Sequence, residues 1–293
     1  DGCSAVCMCF RQQCWQQCRE RIRIFCQYEL IRHRQAAGTS DAFYFILLTA
    51  MKTAPDAALM NLQWPKQNML WENIKEVFGA RNYMLVRAFW NSTLLTVFSL
   101  LILVVVSSMA AFVLQRRTHR FTSLAMLLVM AGLIIPPAVV PTIWVLEGIG
   151  LFKTLMGMIS VEVAIHFSFC VLLYKAFIGG IPREIDEAAV MDGVGGLGLF
   201  YRVIFPLLKP VTATIVVIEA VFIFNDFTHP LYFLPGAKNV TVQLTLYNFT
   251  SQYVSQWNLL FANALLITLP PLILFLFFSK KIVAGMTAGA VKG

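Results

Sequence analysis

Ile181-Pro182-Arg183-Glu184-Ile185-Asp186-Glu187-Ala188-Ala189-Val190-Met191-Asp192-Gly193 is a polar insert between two long hydrophobic runs, and it continues through a glycine cluster to Val203-Ile204-Phe205-Pro206. A membrane protein leaves lipid at such a place and presents a shaped surface to something soluble. Pro182 suits the first turn of a helix, where its missing N–H costs nothing. Glu184, Asp186 and Glu187 then put negative charge at the positive end of the helix dipole. Ala188 and Ala189 keep one face thin enough for a partner to approach closely. Gly193 is expected to end the helix, and Pro206 to stop the segment that follows.

Outward from this insert the chain is built for lipid. It is 58% hydrophobic and only 13% charged, with a mean hydropathy of +0.72. A helix needs about 20 apolar residues to cross a bilayer core. No charged residue lies between Arg87 and Arg116, nor between Arg120 and Glu147, and the run from Leu259 to Ser279 is also uncharged. Met158–Phe177 and Val211–Leu234 supply two more candidates. The expected fold is therefore an all-α polytopic membrane protein, because an open sheet cannot satisfy its backbone in lipid.

Basic residues in short loops orient the spans. Arg116, Arg117 and Arg120, with His119, fill the turn between the first two clear spans, and Lys280 and Lys281 follow the last one. Both places should face the cytoplasm, and alternation puts the Glu187 loop beside them, in agreement with Arg183, Arg202 and Lys209. Residues 51–88, 148–157 and 235–258 then lie outside. The first of these holds Lys52, Lys66, Lys75, Arg81 and Arg87, against the trend. The net charge of +8 is mostly this topology signal and not a nucleic-acid footprint.

Residues 1–42 are anomalous. Cys3, Cys7, Cys9, Cys14, Cys18 and Cys26 cluster there without a signal-peptide layout or paired metal-type spacing. Phe43–Ala50 reads as the outer end of a span whose first half is missing. The expectation is that residues 1 to about 40 are an out-of-frame or truncated reading that replaces half of a sixth span, since eight residues cannot cross a bilayer.

Glu187-Ala188-Ala189, three residues, Gly193, nine residues and Val203-x-Phe205-Pro206 resemble the EAA loop of ABC importer permeases. Val203 and Phe205 stand where that family has Ile and Leu. From Phe43 to Gly293 the chain resembles the second permease subunit of carbohydrate-type importers, the branch that includes the maltose system. Thr49-Ala50-Met51-Lys52-Thr53, the turn Gly150–Gly157, Asn225-Asp226-Phe227 (with Phe224 for the usual tryptophan) and the tail Gly285–Gly293 carry the likeness. The resemblance implies a type I importer transmembrane domain over 43–293 on a six-span plan, its first span here truncated or misread. It implies a cytoplasmic coupling loop at 181–210 and a bacterial-type plasma membrane. Glu184, Glu187, Ala188, Ala189, Gly193 and Pro206 would couple to a separate ATPase dimer. The other implied partners are a second permease subunit and an extracytoplasmic solute-binding protein, with no nucleic acid. The tail from Thr287 would reach between the ATPases. The chain itself would bind no cofactor and no metal, ATP being used by the ATPase.

Gly193-Val194-Gly195-Gly196-Leu197-Gly198 matches a dinucleotide-binding pattern but follows a helix, so these glycines are expected to form a bend between two short helices. Asn91, Asn239 and Asn248 head glycosylation-type triplets that arise readily by chance. Pro136, Pro137 and Pro141 would kink one span, either beside a pathway or for structural reasons alone. Ionisable residues at membrane depth point to function by default; Glu162, His166, Glu219, Asp226 and His229 qualify. Glu162 and His166 share a helix face and should pair. His229 should lie near water at the outer end of its span. Asn225, Asp226 and Glu219 are the pathway candidates, contacting solute or holding helices together. The chain lacks H-E-x-x-H, G-x-S-x-G and phosphate-loop motifs, so it is read as a transporter subunit with no catalytic residues. A proton-coupled secondary transporter is the alternative, motivated by Glu162, Asp226 and the intramembrane histidines.

Overall fold

The computed structural model describes residues 41–117, 119–236, 239–249 and 256–290. The expectations for the cysteine-rich segment 1–40, and for residues 291–293 of the tail, lie outside the described residues. Every regular element among the described residues is helical. Helices α1 (Asp41–Ala50), α2 (Ala54–Ala58) and α3 (Leu70–Gly79) precede the long α4 (Met84–Arg116). Then come α5 (Arg120–Ile134), α6 (Val139–Gly148) and α7 (Leu155–Gly179). The polar insert forms α8 (Glu184–Met191). It is followed by α9 (Gly196–Gly198), a π-helical turn (Leu199–Ile204) and α10 (Phe205–Leu207). Helices α11 (Lys209–Asn225), α12 (Thr228–Phe233) and α13 (Trp257–Ala290) complete the chain.

Among the described residues, two helices are by themselves long and apolar enough to span a bilayer: α4, of 33 residues, and α7, of 25 residues. Two runs that the sequence presents as single spans are broken instead. The segment from Arg120 to Glu147 bends by 120° between α5 and α6. Pro136 forces the preceding Ile135 out of helical geometry, to φ −77° and ψ 120°. Pro141 falls in the first turn of α6, where a proline removes no helical hydrogen bond. The segment 211–234 also stops early. Helix α11 ends at Asn225, and Asp226 turns extended before α12 begins. The Asp226 carboxylate, one residue ahead of the N-cap Phe227, accepts the N–H groups of Thr228 (3.0 Å) and His229 (3.4 Å), the first two donors of α12.

Helix α4 lies along α7. Ser92, Thr96, Ser99, Ser107 and Ser108 are buried on it, small enough to allow close approach of the neighbouring helix. Thr96, Ser107 and Ser108 donate to the carbonyls of Ser92, Leu103 and Val104 at 2.8, 2.5 and 2.6 Å, so those hydroxyls are satisfied within their own helix. At one end of α7, Thr154 caps the helix by accepting the Gly157 N–H at 3.0 Å. A Cβ at Gly157 would collide with the Leu151 carbonyl.

Segments expected to share a side of the membrane lie together at each end of the bundle. Arg116 meets Asp186, bringing two of the proposed inner segments together. At the other end, Asn239 donates to the Lys153 carbonyl at 2.9 Å and Asn91 to the Val240 carbonyl at 3.0 Å. Lys52, one of the charges that opposed the topology, is buried and donates to the backbone carbonyl and side-chain oxygen of Asn61 at 2.6 and 2.8 Å. It is a structural clamp on the segment that follows α1. Asn91, only 6% exposed, likewise holds the outer segment and is no glycan acceptor.

Asn73 is the hub of that outer end. Its amide donates to the carbonyls of Ala50 (2.8 Å) and Lys52 (3.0 Å), and its oxygen accepts from Asn258 (2.8 Å), tying α1, α3 and α13. Buried polar groups left without partners cost about 1–3 kcal/mol each. Asn73→Ala is therefore expected to destabilise the purified transporter by about 2–3 kcal/mol, read as a fall in thermal midpoint. Replacement of the exposed Glu76 by Ala should leave the midpoint unchanged.

Candidate functional site

The polar insert folds as a short helix with a defined stop. Glu184, Asp186 and Glu187 occupy the first turn of α8, where acidic groups complement the dipole. Pro182 lies ahead of the helix, not in its first turn as expected: Arg183 takes the N-cap position and Glu184 is the first helical residue. The Gly193 N–H bonds the Val190 carbonyl and the Val194 N–H bonds the Ala189 carbonyl, both at 3.0 Å. This is the Schellman arrangement, and it needs a left-handed residue, which Gly193 supplies at φ +80°. The glycine cluster does form the bend between two helical segments.

Pro206 does not stop the helix. The π turn at Leu199–Ile204 lies just ahead of it, and widening there lets the chain run through a residue that offers no N–H. The direction changes at Leu208 instead, by 75° between Gly196–Leu207 and α11.

The loop is half core and half surface. Ala189, Leu199, Phe200, Ile204 and Leu208 are buried in one cluster with Val171, Tyr174 and Ile178 of α7 and Ile215 of α11. The thin face at Ala189 thus serves packing against the chain's own helices. Ala188, Glu184, Glu187, Gly193 and Pro206 are exposed. So are Val190, Met191 and Leu197, at 58, 88 and 69%. Apolar side chains this open, on a loop beyond the membrane-crossing helices and rimmed by carboxylates, have the makeup of a protein-binding surface. A cleft of about 440 Å³, lined by Met109, Phe112, Val113, Arg116, Leu197 and Phe200, opens between the end of α4 and this loop.

One ion pair fixes the loop to the bundle. The Arg116 Nε lies 2.7 Å from Asp186 Oδ2, the two side chains being only 12 and 16% exposed. The same guanidinium donates to the Ile181 carbonyl at 3.1 Å. Arg116 is the last residue of α4 and Asp186 stands in the first turn of α8, so each charge also sits where a helix dipole favours it. Sequence reasoning uses Arg116 only as a topology marker and Asp186 only as a helix-start acid. Seventy positions separate them, and no local signal pairs them.

The membrane-depth ionisable residues form one cluster. His166 reaches Glu219 through Nδ1 (2.6 Å) and Glu162 through Nε2 (3.3 Å), so the expected Glu162–His166 pair has a third member across the α7–α11 contact. Glu219 is 1% exposed and also accepts from the Cys170 thiol at 3.5 Å. His229 is not simply wet: its Nδ1 is 2.7 Å from Asp226 Oδ2. One ligand-type atom each of Glu162, Asp226 and His229 lie within 4.8 Å of one another. Asn225 is exposed; it donates to the Val221 carbonyl (2.9 Å) and accepts from Gln243 (3.0 Å).

Comparisons with known proteins agree with this architecture. Residues 104–287 match the family described as "Binding-protein-dependent transport system inner membrane component". The chain is 34% identical over 255 residues to the melibiose/raffinose/stachyose import permease protein MelC of Bacillus subtilis (strain 168), covering 86% of this chain and 91% of that protein. It is 35% identical over 251 residues to the probable starch degradation products transport system permease protein AmyC of Thermoanaerobacterium thermosulfurigenes, covering 85% and 90%. In fold it is similar to a chain of a bacterial ABC transporter involved in the import of the acidic polysaccharide alginate, with a TM-score of 0.73, 18% identity and coverage of 88% of this chain and 96% of that one. This all-helical, multi-pass chain belongs to the family of binding-protein-dependent inner-membrane components and is a permease subunit of an ABC importer, without catalytic function of its own.

Proposed function

We propose that this permease carries a sugar or oligosaccharide, pairs with a second permease subunit, and is driven by an ATPase dimer that grips α8. An extracytoplasmic binding protein would deliver the solute at the outer end, near residues 235–258. The relatives named for melibiose, raffinose and stachyose, and for starch degradation products, support the substrate class. Family membership leaves the proton-driven reading without support. ATP is consumed by the partner, and this chain contributes no cofactor site to that step.

The observation that carries the coupling role is the two-sided build of the loop. Its outer face presents Glu184, Glu187, Ala188, Met191 and Leu197 to solvent, while Ala189, Phe200 and Ile204 are locked into the α7–α11 core. A push on α8 is transmitted by packed side chains and by the Arg116–Asp186 pair to α4, α7 and α11. Packed interfaces repack between discrete states more readily than they deform. Of the pathway candidates, Asn225 faces the open side, whereas Asp226 and Glu219 are engaged with histidines.

Two experiments in proteoliposomes test this. Glu187→Lys reverses an exposed charge, and Gly193→Leu forces a bulky residue into a left-handed position, at a cost of about 1–2 kcal/mol. Each should lower solute uptake about tenfold and weaken recovery of the ATPase with the complex, the size expected for loss of about 1.4 kcal/mol of coupling. Unchanged uptake in both variants contradicts the role. Arg116→Ala should likewise depress uptake relative to ATP hydrolysis, and combining Arg116→Asp with Asp186→Arg should restore part of it. A purely additive double variant would show that the pair carries no coupling.

A further inference from the structure

The cluster at the α7–α11–α12 junction holds three carboxylates, Glu162, Glu219 and Asp226, and two imidazoles, His166 and His229. Lys175 and Lys209, the lysines of α7 and α11, stand more than two helical turns from His166 and Glu219. No charged residue of α4 lies between Arg87 and Arg116. The ionic groups must therefore balance among themselves, and the two histidines are too few to neutralise three carboxylates.

The excess falls at one place. Glu162 is fully buried, its Oε1 has no hydrogen-bond partner, and it converges on Asp226 and His229. Two carboxylates this close in a low-dielectric interior need a shared proton or a cation between them. His166, flanked by carboxylates at both ring nitrogens, can donate to both only as the imidazolium. One imidazolium and one divalent ion would then match the three negative charges. The geometry leaves room for an ion: one ligand-type atom each of Glu162, Asp226 and His229 lie within 4.8 Å of one another, and the Asp226–His229 hydrogen bond of 2.7 Å would open to the roughly 3.4 Å that separates neighbouring ligands on tetrahedral bonds of about 2.0–2.2 Å. Glu162 would close the third side from another helix.

We propose that Glu162, Asp226 and His229 form a divalent transition-metal site, of the two-carboxylate, one-imidazole type that suits Zn²⁺ or Mn²⁺. The ion fastens the break between α11 and α12 to α7, with Glu219 and His166 as its supporting charge pair. This inference goes beyond the transport reading and stands apart from it.

The assembled transporter, purified through a tag that contains no histidine, is stripped with chelator, loaded with Zn²⁺ and desalted. About one equivalent of zinc per copy of this chain should remain, and loading should raise the thermal midpoint. Cobalt loading should give the visible absorption of a protein-bound ion. Asp226→Asn and His229→Gln should lose both metal and thermal shift while Glu219→Gln, which disturbs the same helix contact without removing a ligand, keeps them. His229→Gln tests the site if Asp226→Asn does not assemble. Less than about a tenth of an equivalent after loading, with the cobalt spectrum of the aqueous ion, would overturn the proposal in favour of a proton shared by the two carboxyls. Equal zinc in all variants would overturn it as well, as binding elsewhere.

Discussion

The contact between Arg116 and Asp186 ties the membrane-spanning part of the molecule to the part that faces solvent. It joins the last residue of α4 to the first turn of α8, and a second donor of the same guanidinium reaches the Ile181 carbonyl just beyond α7. A pair this shielded is screened less by salt than a surface pair, and removing one partner leaves the other charge uncompensated. Around it, the apolar side of the loop is continuous with the inner core of α4, α7 and α11. The loop is thus a packed extension of the bundle, with Glu184, Glu187 and its exposed apolar side chains directed outward.

Lipid as solvent explains much of the remaining build. Backbone and side-chain polar groups at depth must find partners within the protein. The hydroxyls of Thr96, Ser107 and Ser108 return to their own helix, and Asn73, Asn91 and Asn263 bridge separate segments at the outer end. Where the chain departs from straight spans, it does so at Ile135-Pro136-Pro137 and at Asn225-Asp226. In each case the departure has a local cause, proline sterics in one and a carboxylate accepting the first N–H groups of α12 in the other.

The long apolar helices α4 and α7 and the short helix α8 were legible because they rest on local signals: charge-free or nearly charge-free runs, and an acidic helix start closed by a glycine. Gly193 could be read as a terminus because left-handed backbone favours glycine, and it adopts φ +80°. Composition alone made the run from Arg120 to Glu147 look like one span, since hydropathy is blind to a 120° bend. Pro206 misled for the converse reason, because a π turn absorbs the missing N–H. The pairing of Arg116 with Asp186, and the meeting of Glu162 and His166 with Glu219, depend on which helix faces lie together. Those facts are tertiary, and no spacing along the chain encodes them.

In the proposed mechanism α8 is the handle by which a nucleotide-hydrolysing partner moves this bundle. A photoreactive amino acid at Met191, the most exposed apolar residue of that helix, tests it most directly in the intact membrane. A covalent adduct with the ATPase subunit is expected, its yield changing when ATP hydrolysis is blocked by vanadate. An adduct formed only with lipid or with the second permease, under every nucleotide condition, would contradict it.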